Sequence, residues 1–235
     1  MAGKEGAIDP FEAMHAKGDA YIRQMEGRIG VPEGTFHALR DDDNDWSFLI
    51  KLQAIVEAGI VRIVTRKIGA DELMPFVSRL AVDGTTSKLK LALTLGVMDE
   101  PQAKYVRQLA NIRNQFAHSI ENIAGSLGAY VAARPAEWRR DFARNCTALY
   151  VPLPASVVDE TEWTGALCRE MLWGGAMYLL TKLLVHDLEA ESEQWRKQLM
   201  ELMVENRVLK DSELPAGPAL SLHSLFQGIP PNTEG

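Results

Sequence analysis

The chain has 235 residues, 46% hydrophobic and 24% charged, the balance of a soluble globular protein with room for one sizeable core. Its net charge of −7 is uneven: −5 over residues 1–50, +1 over 51–84, +4 over 85–145 and −7 over 146–235. A free-standing reader of duplex DNA would carry a strong basic excess, because phosphate contacts supply most of its affinity. A modest basic middle between acidic ends fits a local anionic site or a protein partner instead.

The amino end, MAGKEGAIDPFEAM, lacks the continuous apolar run of a signal peptide. The most membrane-like segment, Ala166–Val185, holds Arg169, Glu170 and Lys182. Each would cost about 2.5–3.5 kcal/mol at the centre of a bilayer, so the segment reads as a buried helix of a soluble protein with no membrane association. Cys146 and Cys168 form no CxxC pair and imply no disulfide framework. The expected location is cytoplasmic.

Strand signals are nearly absent and helical periodicity dominates. A first helix is expected over Pro10–Gly27, with Asp9 as its cap and Pro10 in first position. The loop Gly30–Asp45 carries the acidic run DDDND, which ends in good capping residues. The next helix runs from Trp46 to Lys67, burying Phe48, Leu49, Leu52, Ile55, Val56, Ile60 and Ile63, and Gly69 ends it. An irregular stretch, ADELMPFVSRLAVDG, follows.

TTSKLKLALTLG reads as a short helix with a Thr/Ser cap and a terminating Gly96. Asp99–Ala124 is the next long helix, capped by Asp99 with Pro101 in its first turn. Another helix follows Ala133, with Phe142, Cys146 and Leu149 at helical spacing. VPLPASVVDETEW is a linker in which Asp159 and Glu162 suit a variant capping box. The helix Glu162–Glu189 contains the pair Gly174-Gly175, which inside a helix signals close backbone packing. A charged helix then reaches about Lys210, with Glu189–Glu193, Arg196 and Lys197 as a salt-bridged face. The last 25 residues hold four prolines and, within LSLHSLF, enough apolar bulk to dock on this chain or a neighbour. The expected fold is all-α: one multi-helix bundle with a partly irregular carboxyl tail. It divides into residues 1–45 (first helix and acidic loop), 46–190 (helical core) and 191–235 (charged helix and tail).

Within the Asp99–Ala124 helix, Tyr105, Leu109, Ile112, Phe116, Ile120 and Ile123 fall on one side and should face the core. Arg107, Asn111, Asn114 and His118 form a stripe opposite, with Arg113 on the flank. A solvated helix face is the plain alternative, but such faces are usually filled with Lys and Glu. Asn is a poor helix former, and two in four positions suggest specific hydrogen bonding. The cluster Trp138-Arg139-Arg140…Arg144 either extends a basic surface or is a solvated face. The other histidines show no metal-ligand spacing, and no Walker, Rossmann or GxSxG pattern occurs, so no metal or cofactor is expected.

The run from TTSKLKLALTLGVMDE through KYVRQLANIRNQFAHS resembles the core of the mannitol repressor (MltR) family of bacterial regulators. That family pairs a short helix ending in a Leu-Gly turn with an acidic-capped helix closing on an Arg-Asn-x-Phe-Ala-His motif. DFARNCTAL is similar to the family's following segment. The resemblance covers about Thr85–Leu149, with a weaker likeness from Trp46, and Lys88 stands where the family pattern has arginine. It implies an all-helical regulator: a repressor or co-repressor of a carbohydrate-utilisation operon. It would be a homodimer acting through a protein partner, such as a DNA-binding regulator, rather than by reading duplex DNA itself. Arg107, Asn111, Arg113, Asn114 and His118 would be its binding residues.

Residues 113–118 also fit the broader HEPN motif, in which Arg, a polar residue and three of any kind precede His. Many HEPN proteins are dimeric, metal-independent endoribonucleases, and some are toxins or defence components. That likeness implies a catalytic role for His118 as proton donor or acceptor at the ribose 2′-hydroxyl or the leaving oxygen. Arg113 would neutralise the scissile phosphate of RNA, and Asn114 would orient His118 or the phosphate. A second copy of the motif across a two-fold axis would help complete such a site.

Overall fold

The computed structural model describes the backbone of residues 10–117, 123, 125–147, 149 and 164–205. Within these it describes the side chains of residues 19–116, 123, 125–147, 149 and 165–201. Helix α1 (Pro10–Ile29) runs two residues past its expected end and stops where Gly30 turns left-handed at φ 84°. The expected cap, Asp9, lies outside the described residues. The loop after it contains a helix that periodicity did not show, α2 (Thr35–Arg40). Its start is stabilised from a distance. The buried Glu26 accepts hydrogen bonds from Gly34 N (2.9 Å) and Phe36 N (2.7 Å), occupying amides that the first turn leaves open.

The central helix α3 (Asp45–Ile68) follows its sequence signals closely. Asn44 caps it by accepting from Ser47 N at 2.8 Å, and Gly69 closes it at φ 77°. All seven apolar residues expected on its inner face are buried. The stretch read as irregular instead forms a 3₁₀ turn, Asp71–Leu73, and helix α4 (Met74–Arg79), with Pro75 in its first turn where a missing amide costs nothing. Helix α5 (Lys88–Thr94) has the expected cap, Ser87 accepting from Lys90 N at 3.1 Å, and ends before Gly96 at φ 67°. No strand forms among the described residues, only an isolated bridge between Ala81 and Ser87.

Helix α6 (Glu100–Ala117) begins with a reciprocal box. Gln102 N donates to Asp99 Oδ1, and Asp99 N donates to Gln102 Oε1, both at 2.9 Å. The helix was expected to continue to Ala124, but Ile123 sits in a turn and is 48% exposed rather than buried. Its carbonyl accepts from Asn44 Nδ2 at 3.2 Å, so it serves a contact with the α3 cap instead of a helical ladder. Ile120 lies outside the described residues. Helix α7 (Leu127–Ala132), not expected from the sequence, starts at Ser126, whose hydroxyl accepts from Ala129 N. Helix α8 (Ala136–Thr147) buries Phe142 and Cys146, and Leu149 beyond it is buried too. The linker with Asp159 and Glu162 lies outside the described residues. Helix α9 (Thr164–Glu205) is continuous through the point where two separate helices were expected.

Helices α1, α2, α4, α5 and α6 pack against α3, and α8 packs against α6, so α3 is the axis of the core. The fold is all-α. Residues 1–184 form one compact unit and residues 185–235 a second. Inside the first unit, Tyr105 Oη donates to Leu172 O at 2.6 Å. A Cβ on Gly175 would lie 2.4 Å from the Tyr105 ring, which confirms the close packing expected at Gly174-Gly175. Lys88 is 6% exposed and ion-paired with Glu57 at 2.6 Å, and Gln53 also donates to that carboxylate, at 2.9 Å. Lys88 therefore belongs to a structural pair between α5 and α3.

Candidate functional site

Helix α6 places its apolar residues as expected: Tyr105, Leu109, Ile112 and Phe116 are fully buried. The opposite side divides into two parts with different chemistry. At the start of the helix, Arg107 donates from Nη1 to Glu100 (2.7 Å) and from Nε to Asp83 (3.2 Å). The Glu100 hydrogen bond, supported by Asp83, raises its guanidinium further above its ordinary value. Arg107 is thus paired with two carboxylates at the start of the helix.

At the carboxyl end, Asn111 and Asn114 are exposed and Arg113 is half-buried. Arg113 Nη1 donates to Asn114 Oδ1 at 2.9 Å, so the carboxamide holds the guanidinium. Arg113 Nε is buried without a hydrogen-bond partner among the described residues. An unpaired buried donor costs about 1–3 kcal/mol, which an acceptor from a ligand or partner would offset. His118 lies outside the described residues, so Arg113 and Asn114 are the described members of the trio Arg113, Asn114 and His118.

A second cluster lies beside this end of α6. Gln115 Oε1 accepts from Tyr130 Oη at 2.7 Å and from Arg134 Nη2 at 3.5 Å, and Arg134 also donates to Tyr130 Oη. The Arg134 guanidinium lies over the Tyr130 ring, 4.2 Å from its centroid, and 5.8 Å from that of Trp138. Trp138 stacks on Phe142 with centroids 5.6 Å apart, while Tyr130 meets Phe116 edge-on at 5.4 Å. Most of these ring faces are already used, so the cluster mainly fastens α6, α7 and α8 together. Its one sequence signal was the spacing of Tyr130, Arg134 and Trp138 at every fourth residue. In the basic run, Arg139 donates to Ala132 O at 2.8 Å and Arg144 pairs with Asp141 at 3.4 Å. The first contact ties α8 to the end of α7, and the second lies on an exposed face of α8.

A shallow cleft of about 450 Å³ lies elsewhere, between α7 and the start of α9, lined by Asp45, Ser126, Gly128, Ala132, Cys168 and Arg169 among others. Asp45 and Arg169 are paired at 2.8 Å, and burial pushes the Cys168 thiol up to about 12. The cleft therefore offers no activated nucleophile. None of the described stripe residues lines it. Among the described residues no group of three or more His, Cys, Asp or Glu could hold a metal ion, and no helix is long and apolar enough to cross a membrane.

No protein-family model, no curated protein and no solved structure matches this chain.

Proposed function

We propose that the chain is a regulatory protein of the mannitol repressor kind, a homodimer that influences transcription of a carbohydrate-utilisation operon through a protein partner. The observation that carries this reading is the fate of Arg107. Glu100 and Asp83 consume its charge, which leaves the described face of α6 without the row of cations that a phosphate backbone requires. Ile68, Leu73 and Phe76, within nine residues of chain, are exposed, Phe76 by 62%. Such apolar exposure suits a protein surface better than a nucleic acid.

The test is transcript profiling of a strain lacking the chain, complemented with wild type or Phe76→Ser. Derepression of one sugar-utilisation operon is expected, restored by wild type but poorly by Phe76→Ser. The purified protein alone should not retard the operator DNA. Retardation at physiological salt would overturn the partner-dependent form of the reading.

A second reading, a metal-independent endoribonuclease, is favoured by one contact. The hydrogen bond from Arg113 to Asn114 holds a guanidinium, the group that such chemistry uses to clamp a phosphate. It requires RNA cleavage in excess EDTA that His118→Ala abolishes without unfolding the protein.

A further inference from the structure

In the second unit, α9 carries large apolar side chains into solvent: Trp195 is 67% exposed and Leu199, one turn on, is 58% exposed. They are not isolated. Val185, Leu188, Ser192, Trp195 and Leu199 follow one another at alternating steps of three and four residues, and the sequence continues that register with Leu202. This is the a/d pattern of a helical seam, sustained over three heptads and about 26 Å of helix. Val185 is exposed as well, while Leu188 and Ser192 are half-buried.

We propose that this seam binds the same seam of a second copy of the chain, antiparallel to it. The proposal deepens the homodimer of the regulatory reading by naming the surface that forms it, and a dimer held elsewhere would overturn it while leaving that reading intact. Antiparallel pairing about a two-fold axis between Gln194 and Glu193 brings every seam position opposite another. Leu188 faces Leu199, and Ser192 faces Trp195 of the second copy. The match is one of volume, because the largest residue of the seam fills the space left by the smallest. A parallel pair would stack Trp195 on Trp195 and leave a gap between two serines. Charge agrees. Glu189 and Arg196 hold the same flanking heptad position, and flanking positions of one kind meet each other in an antiparallel pair. Each Glu189 therefore comes to an Arg196 of the second copy, twice per dimer.

The experiment uses the full chain in two forms of different size, one carrying Leu188→Cys and the other Leu199→Cys. The native cysteines are buried and stay out of the exchange. On mild oxidation the mixture should give the mixed disulfide in clear excess over either self-linked product. Trp195→Glu in both forms should suppress it, and in the otherwise wild-type chain should raise the dissociation constant for the seam by about 30-fold or more. Circular dichroism should stay unchanged, since Trp195 is exposed in the single chain. Self-linked products in excess would mean a parallel pair and overturn the proposal. So would a monomeric wild type in sedimentation equilibrium, which would leave the tail or another protein as the occupant. A dimer indifferent to Trp195→Glu would place self-association elsewhere and overturn it too.

Discussion

Asp45 uses both carboxylate oxygens at once: Oδ1 takes Arg169 Nη1 at 2.8 Å and Oδ2 takes the backbone amide of Leu127 at 2.7 Å. Residues 82 and 124 positions away in the chain are thereby tied to the first residue of α3. The same guanidinium donates to the carbonyls of Arg40 (3.1 Å) and Asp42 and lies 4.2 Å over the Phe48 ring. Arg169 thus satisfies the end of α2, the acidic loop and α3 with one planar group, a task that suits arginine and not lysine.

Arg169→Met is therefore expected to destabilise the protein by about 2–4 kcal/mol, since it strands a half-buried carboxylate and several carbonyls. Arg169→Lys should recover only a part. Urea denaturation would measure both. A loss of less than about 0.5 kcal/mol in Arg169→Met, the range of a surface substitution, would mean that the contacts contribute nothing.

Gly175→Ala should cost about 1–3 kcal/mol, because its methyl would enter the Tyr105 ring, whose hydroxyl is held by Leu172. Gly27→Ala is the control. It lies inside α1 with no heavy atom within 4 Å of the added carbon, and should stabilise by about 0.5–1 kcal/mol. Thermal denaturation of the pair should move in opposite directions.

Asp42 gives the protein a modest acid sensitivity. The hydrogen bond from Lys51 at 2.6 Å, with further bonds from Ser47 and from Asn44 N, lowers its carboxyl to about 2. A lowered carboxylate contributes its stability fully above its unfolded value of about 4, and loses it as the pH falls towards 2. Lys51 is solvent-facing, so the contribution should stay below about 1 kcal/mol. In Asp42→Asn the difference from wild type should be present at pH 6 and shrink as the pH falls from 4 to 2, followed by chemical denaturation at each pH.

Burial raises both thiols, Cys146 well above its ordinary value and Cys168 to about 12. Neither should react with an aromatic disulfide reagent in the native protein at pH 8, and both should do so in 6 M guanidinium. Reaction of the native protein within seconds would contradict the packing around α8 and α9.

The sequence by itself determined the helices whose information is local. The caps Asn44, Ser87 and Asp99 and the stops Gly69 and Gly96 rest on contacts within a few residues, and the inner faces of α3 and α6 follow a local repeat of apolar residues. Short-range periodicity and capping chemistry report such contacts directly. Helices α2, α4 and α7 have six residues each, too few for a periodic signal, and distant carboxylates hold α2 and α7. Glu26 supports α2 from ten residues away and Asp45 supports α7 from eighty-two.

The candidate site divides in the same way. Its helix and the buried residues from Tyr105 to Phe116 were legible. That Arg107 is consumed by Asp83, twenty-four residues earlier, and that Gln115 joins Tyr130 and Arg134, were not. Charge pairing and long-range hydrogen bonds depend on which surfaces the fold brings together, and only the tertiary structure decides that.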